Sequence, residues 1–135
     1  MLPGLIDICG VLDMKAGVFR MMQFNSRVNT SYLYRFGYYG TKSTWYFGDY
    51  FYSEKGVPHG DDLPYLFPIF KDLSEKDIIV AKRFVKLWTS FAATGKPVAD
   101  GKTWEPMSTP FGPYLIIDDE LIDGTNFLNE YTIAA

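Results

Sequence analysis

Gly56-Val-Pro-His-Gly-Asp-Asp-Leu-Pro-Tyr-Leu-Phe67 holds the single histidine of a 135-residue chain, His59, and the rest of the sequence reads as support for it. Pro58 fixes its own φ at about −65° and biases Val57 towards an extended conformation, while Gly56 and Gly60 permit backbone angles that residues with a Cβ avoid. Such a loop presents one side chain at a stiff tip. Histidine has an unperturbed pKa of about 6.5, so it can take up and return a proton near neutral pH. Taken alone, a single histidine is a weak signal, more often structural or solvated than catalytic. Asp61 and Asp62 lie two and three residues beyond it, too near in sequence to serve as its acid partner. They read instead as N-caps of a short helical turn over residues 63–67, where a carboxylate accepts orphan N–H groups and meets the positive helix end.

Upstream, Tyr32-Leu-Tyr-Arg-Phe-Gly-Tyr-Tyr39 is β-rich and apolar on both faces apart from Arg35. That pattern predicts a strand buried on both sides, as in a mostly parallel sheet covered by helices, with Gly37 marking a close approach. Residues 40–55 form a loop with aromatics at 45–47 and 50–52, which either folds over the core or walls an apolar pocket beside His59. Downstream, Ser74-Glu-Lys-Asp77 reads as a capping box. The helix it opens carries Ile78, Ala81, Phe84, Val85, Trp88, Phe91 and Ala92 at helical spacing, has Lys76, Lys82, Arg83 and Lys86 on or near the other face, and ends at Gly95 before Pro97. Its Trp and Phe residues are read as core.

Near the start, Asp13 is a plausible N-cap for a helix reaching to about Phe24, with Ala16, Phe19, Met22 and Met21 on one face. Residues 25–31 break it with turn-prone side chains and include Asn29-Thr-Ser31, a sequon for N-glycosylation if the chain enters the secretory pathway. Residues 98–112 read as a Gly/Pro-rich connection to a second buried strand, Tyr114-Leu-Ile-Ile-Asp118, ending in solvated Asp118-Asp119-Glu120. The tail from Leu121 has little periodicity and is expected to be loosely ordered.

With 47% hydrophobic and 21% charged residues, the composition is that of a folded domain and not of a disordered chain. The net charge of −3, with Lys and Arg scattered, offers no clustered basic face for nucleic acid. Cys9 is the only cysteine, so no disulfide forms within the chain, and the sequence holds no metal-type Cys/His cluster. Residues 1–12 are apolar but lack a positive n-region and are interrupted by Pro3, Gly4 and Asp7. This is no convincing signal peptide, and no run reaches the roughly 18 apolar residues of a membrane span.

The histidine loop resembles that of the type-B carboxylesterases, the family of carboxylesterases, juvenile hormone esterases and cholinesterases. Tyr32-Leu-Tyr-Arg-Phe-Gly-Tyr-Tyr39 is similar to the strand preceding that loop, and Leu87-Trp-Thr-Ser-Phe-Ala-Ala-Thr-Gly-Lys-Pro97 to the family's Trp-x-x-Phe-Ala-x-Thr-Gly-x-Pro helix ending. Trp104-x-Pro106 and Tyr114-Leu-Ile-Ile117 follow in the family's order. The resemblance implies an α/β chain: a C-terminal fragment of an α/β-hydrolase fold, with a partial sheet and flanking helices. Residues 13–135 would be the C-terminal part of a type-B carboxylesterase domain, with 1–12 an unassigned N-terminal segment. It implies hydrolysis of small-molecule carboxylic esters in the complete protein, with His59 as the catalytic histidine, no cofactor and no metal, and a secretory location.

In that chemistry a histidine takes the proton of an attacking serine, a carboxylate orients the imidazole, and backbone N–H groups stabilise the oxyanion. None of Ser26, Ser31, Ser43, Ser53, Ser74, Ser90 or Ser108 lies in a Gly-x-Ser-x-Gly elbow. Since the family orders its triad serine, acid, histidine, a C-terminal piece keeps only the histidine and is expected to be inactive alone. The alternative is a non-catalytic esterase homologue with a binding or adhesion role.

Overall fold

A computed structural model describes residues 2–43, 56–67 and 69–131. The aromatic clusters at 45–47 and 50–52 lie outside the described residues. Helix α1 (Leu2–Gly10) runs through a π-helical turn (Val11–Lys15) directly into α2 (Ala16–Asn25). The helix expected to start at Asp13 therefore begins some ten residues earlier. Pro3, read as an interruption, stands in the first turn, where a missing N–H costs nothing. Gly10 and Lys15 both keep right-handed helical angles, so nothing stops the helix at Asp13, which lies inside the π turn without capping it.

Strand β1 (Tyr34–Phe36) is shorter than the eight residues expected and only half-buried, although Leu33 and Tyr38 beside it are buried. A short α3 (Leu63–Leu66) follows the histidine loop, and α4 (Glu75–Thr94) has the bounds its caps predict. Ser74 accepts from the Asp77 N–H while the Asp77 carboxylate accepts from the Ser74 N–H, and Gly95 closes the helix at φ 73°. The connection after α4 contains a hairpin, β2 (Val98–Ala99) with β3 (Lys102–Thr103), paired antiparallel. Its turn, Asp100-Gly101, has φ of 52° and 74°, the two left-handed residues of a type I′ turn. β4 (Tyr114–Ile117) bears out the second buried strand. As far as Tyr131 the tail is ordered, as β5 (Leu121–Gly124) and a 3-10 helix (Phe127–Tyr131). β1, β4 and β5 form a three-stranded sheet in the order β1-β4-β5. Helices and short sheets together make an α/β arrangement.

The chain divides into two compact units. In the first (Met1–Tyr34, Glu105–Leu115, Asp123–Ala135), α2 buries Phe19 and Met22, and the Phe19 ring packs on Phe127 at 5.3 Å. Phe127 meets Tyr114 edge-on at 5.1 Å, which orders the tail that lacks periodicity in sequence. Gly124 fits only because it has no side chain: a Cβ would fall 2.2 Å from the Tyr114 ring. Met21, expected on the buried face, is exposed.

In the second unit (Arg35–Trp104, Ile116–Ile122) the core is Val80, Phe84 and Leu87 of α4, with Phe84 against Phe36 at 5.4 Å. The face of α4 that is buried is thus Asp77, Val80, Phe84 and Leu87. Of the expected stripe, only Phe84 is core; Ile78, Val85, Trp88 and Phe91 are exposed. Gly37 does mark a close approach, since a Cβ there would lie 2.7 Å from the Arg35 guanidinium. Asp119, expected to be merely solvated, pairs with Lys76 at 2.6 Å, and its carbonyl accepts from Arg83.

Candidate functional site: the histidine loop and its anchors

The histidine loop closes on itself through short backbone bonds. The Asp61 N–H donates to the Pro58 carbonyl at 3.2 Å and the Leu63 N–H to the Gly60 carbonyl at 3.1 Å, with Gly60 at φ 86°. That angle is the one for which the sequence places a glycine after the histidine. His59 is exposed at the resulting tip.

Asp61 and Asp62 depart from the expectation of capping. Asp62 does occupy the N-cap position of α3, but its backbone is helical (φ −74°, ψ −27°) and its side chain makes no capping bond. A carboxylate caps from an extended residue aimed at the second or third N–H, and here Pro64 supplies no N–H at all. Asp61 is buried and accepts the Ser43 hydroxyl at 2.8 Å. It straps the loop, two residues from His59, to the segment before it.

α3 carries the second anchor. Tyr65 is buried, tilted against Phe36 at 5.2 Å and edge-on to Tyr38 at 5.5 Å, and its hydroxyl donates to Asp77 Oδ1 at 3.3 Å. Asp77 is fully buried at the third position of α4. Its Oδ1 also accepts from the Tyr38 hydroxyl at 3.0 Å and the Thr41 N–H at 3.2 Å. Its Oδ2 accepts from the Thr41 hydroxyl, from the Ser74 hydroxyl at 2.7 Å and from the Ser74 N–H at 2.9 Å. Burial on its own raises the Asp77 carboxyl's pKa, but the bonds from Thr41 and Ser74 outweigh it and hold the group well below the usual carboxylate range. Burial first, then the Asp77 charge and hydrogen bond, push the Tyr38 and Tyr65 phenols well above their ordinary value.

Gly40 completes the cluster. A Cβ there would fall 1.8 Å from the Tyr65 hydroxyl and 2.5 Å from Asp77 Oδ1, so only glycine admits both groups. Sequence reasoning identified Asp77 as half of a capping box and missed its other donors. Ser74-x-x-Asp77 was the one available signal, because Tyr38, Thr41 and Tyr65 share no spacing with it.

Elsewhere, a shallow groove of about 420 Å³ is lined by Leu73, Ile78, Ala81, Lys82, Val85, Lys86 and Thr89, none of them from the histidine loop. No group of three or more His, Cys, Asp or Glu among the described residues is placed to hold a metal ion. No helix among them is long and apolar enough to cross a membrane.

The chain matches the carboxylesterase family over residues 1–133. It is similar to glutactin of Drosophila melanogaster, at 29% identity over 122 residues that cover 84% of this chain and 11% of glutactin. It is 32% identical to the juvenile hormone esterase of Tribolium castaneum over 107 residues, 70% of this chain and 18% of that enzyme. With the acylcarnitine hydrolase of Mus musculus it shares 28% identity over 78 residues, 54% of this chain and 14% of the hydrolase. The chain thus spans between 11% and 18% of the length of these relatives.

Proposed function

The chain belongs to the carboxylesterase family, and from that membership we propose that it is the histidine-bearing, C-terminal part of an α/β-hydrolase that cleaves carboxylic esters by a serine mechanism. The observation that carries this reading is the family match over residues 1–133, which includes the His59 loop. Two relatives bear names of ester-cleaving enzymes, a juvenile hormone esterase and an acylcarnitine hydrolase.

In this reading His59 is the general base. It accepts the serine proton as the hydroxyl attacks the ester carbonyl, then delivers that proton to the leaving alcohol. The exposed loop tip suits transfer to a group brought from another segment, and the Asp61 and Tyr65 anchors limit how far the imidazole can wander. The nucleophile, the orienting acid and the oxyanion donors come from protein outside these residues, since none of the serines here lies in a Gly-x-Ser-x-Gly elbow. Asp61 lies two residues from His59 in sequence and Asp77 is fully buried among its own donors, so neither is assigned the acid's role.

Substrates are small carboxylic esters, and the route is secretory. Asn29, exposed in the turn after α2, then carries an N-glycan, which a peptide-N-glycosidase mobility shift would reveal.

The test is to express the gene's whole reading frame and label it with a fluorophosphonate probe. Labelling of one serine inside a Gly-x-Ser-x-Gly elsewhere in the protein is expected, with these 135 residues alone cleaving nitrophenyl esters no faster than free imidazole at equal concentration. A label on any serine of this chain, or the absence of an elbow from the frame, would overturn the proposal.

A further inference from the structure

We propose that Asp77 is a positioning residue for His59, acting through the Tyr65 hydroxyl to lock the loop that carries the histidine. The inference rests on the reading of His59 as general base. Three observations carry it.

First, the connection from His59 to Tyr65 is short and internally bonded. The N–H groups of Asp61, Leu63, Tyr65 and Phe67 donate in turn to the carbonyls of Pro58, Gly60, Asp62 and Leu63. A displacement of Tyr65 is therefore carried back along the chain towards the loop tip. Second, α3 has only four residues and no side-chain cap, so it cannot hold its own position. Beside the buried Pro64 and the Asp61–Ser43 strap that precedes it, α3 is held by a buried tyrosine whose hydroxyl reaches Asp77. Third, Asp77 is itself immobilised more fully than a helix cap requires. It bonds the Ser74 side chain and backbone as a capping box does, and in addition collects Thr41, Tyr38 and Tyr65. Two of those donors, Tyr38 and Thr41, follow β1, so one carboxylate ties the segment entering the loop region to the segment leaving it.

Because charge-assisted bonds are stronger and more directional than neutral ones, the carboxylate makes a stiffer anchor than an amide of the same shape. Removing the Tyr65 hydroxyl should thus loosen the histidine loop while leaving α4 intact.

The experiment compares Tyr65→Phe, Asp77→Asn and Tyr38→Phe with the parent, each in the complete protein. Hydrogen exchange is read at the amides of Asp61, Leu63, Tyr65 and Phe67 and, as reference, at residues 80–87 of α4. The His59 imidazole Cε1–H resonance, assigned by its absence from His59→Ala, is read in parallel. For Tyr65→Phe the loop amides should exchange about tenfold faster, the loss of one hydrogen bond, with a narrowed His59 resonance and unchanged exchange in α4. Tyr38→Phe removes a hydroxyl from the same oxygen without touching α3 and should leave the loop amides within about twofold of the parent. Unchanged loop exchange in Tyr65→Phe, or an equal rise in loop and α4, would overturn the proposal, as would an equal loop effect from Tyr38→Phe. Should Asp77→Asn fail to fold, Tyr65→Phe decides alone. The two claims fail separately: ester hydrolysis by His59→Ala tests the general base, whereas loop exchange in Tyr65→Phe tests the lock.

Discussion

At Asp77 a carboxylate is taken fully out of water, and what makes this tolerable is that each oxygen receives three donors. Replacing it by Asn removes the charge and turns acceptor capacity into donors, so Asp77→Asn should cost about 2–4 kcal/mol at neutral pH, measured by urea denaturation. The pH dependence follows from the direction of its shift. The folded carboxyl is held below the value of about 4 that it has when unfolded, so its contribution is complete above that value and is lost as pH falls below it. The two phenols act oppositely. Raised when folded, they contribute fully below about pH 10 and lose that contribution as the solution becomes more alkaline. Stability should therefore peak between these limits, and the gap between the parent and Asp77→Asn should shrink in acid. Gly40 offers a second test. Gly40→Ala forces a methyl into the Tyr65 hydroxyl and should cost about 1–3 kcal/mol, whereas Gly56→Ala, with nothing among the described residues within 4 Å of the new Cβ, should change stability by less than about 0.5 kcal/mol. Equal effects would contradict the packing described around Gly40. Neither Asp77's burial nor Gly40's constraint was legible in sequence, because both depend on contacts among segments far apart in the chain.

Among the elements, α4 shows both what its sequence announces and what it conceals. Its ends were readable because caps are local chemistry: Ser74 and Asp77 bond each other, and Gly95 takes the left-handed angle. Its buried face was not. Ile78, Val85, Trp88 and Phe91 form a longer apolar row than Val80, Phe84 and Leu87, and the buried row begins with a charged residue that pattern reading assigns to solvent. The consequence is measurable. Phe84→Ala should cost about 3–5 kcal/mol in this chain, and Ile78→Gln less than about 1 kcal/mol. If the two are reversed, the face of α4 is misassigned. The N-terminal helix was hidden for a different reason. Pro3, Gly4 and Asp7 resemble loop composition, yet all are compatible with a helix whose first turn needs no N–H partner from Pro3. In the tail, order comes from the Phe127 ring on Phe19 and Tyr114, which no periodicity could signal.

For the whole chain, the striping of apolar residues on its surface gives a prediction about behaviour. Leu5, Ile6, Ile8 and Leu12 are more than half exposed along the N-terminal helix, and Ile79, Trp88 and Phe91 are exposed on α4. Apolar surface of that extent ordinarily marks an interface or an aggregation liability. The isolated chain should accordingly self-associate or bind a hydrophobic dye; light scattering that shows a monodisperse monomer, with a sharp thermal transition and no dye binding, would mean that this surface needs no cover. The family was legible from the order of three motifs, the His59 loop among them, while the loop's anchors needed the structure. Activity follows from membership in the carboxylesterase family only if His59 moves the proton. That is settled by placing His59→Ala in the complete protein and measuring kcat/KM for a short-chain ester alongside the circular dichroism spectrum. Loss of about 10⁴-fold or more with an unchanged fold is expected of a triad histidine, and a folded variant that keeps its activity would remove His59 from the chemistry.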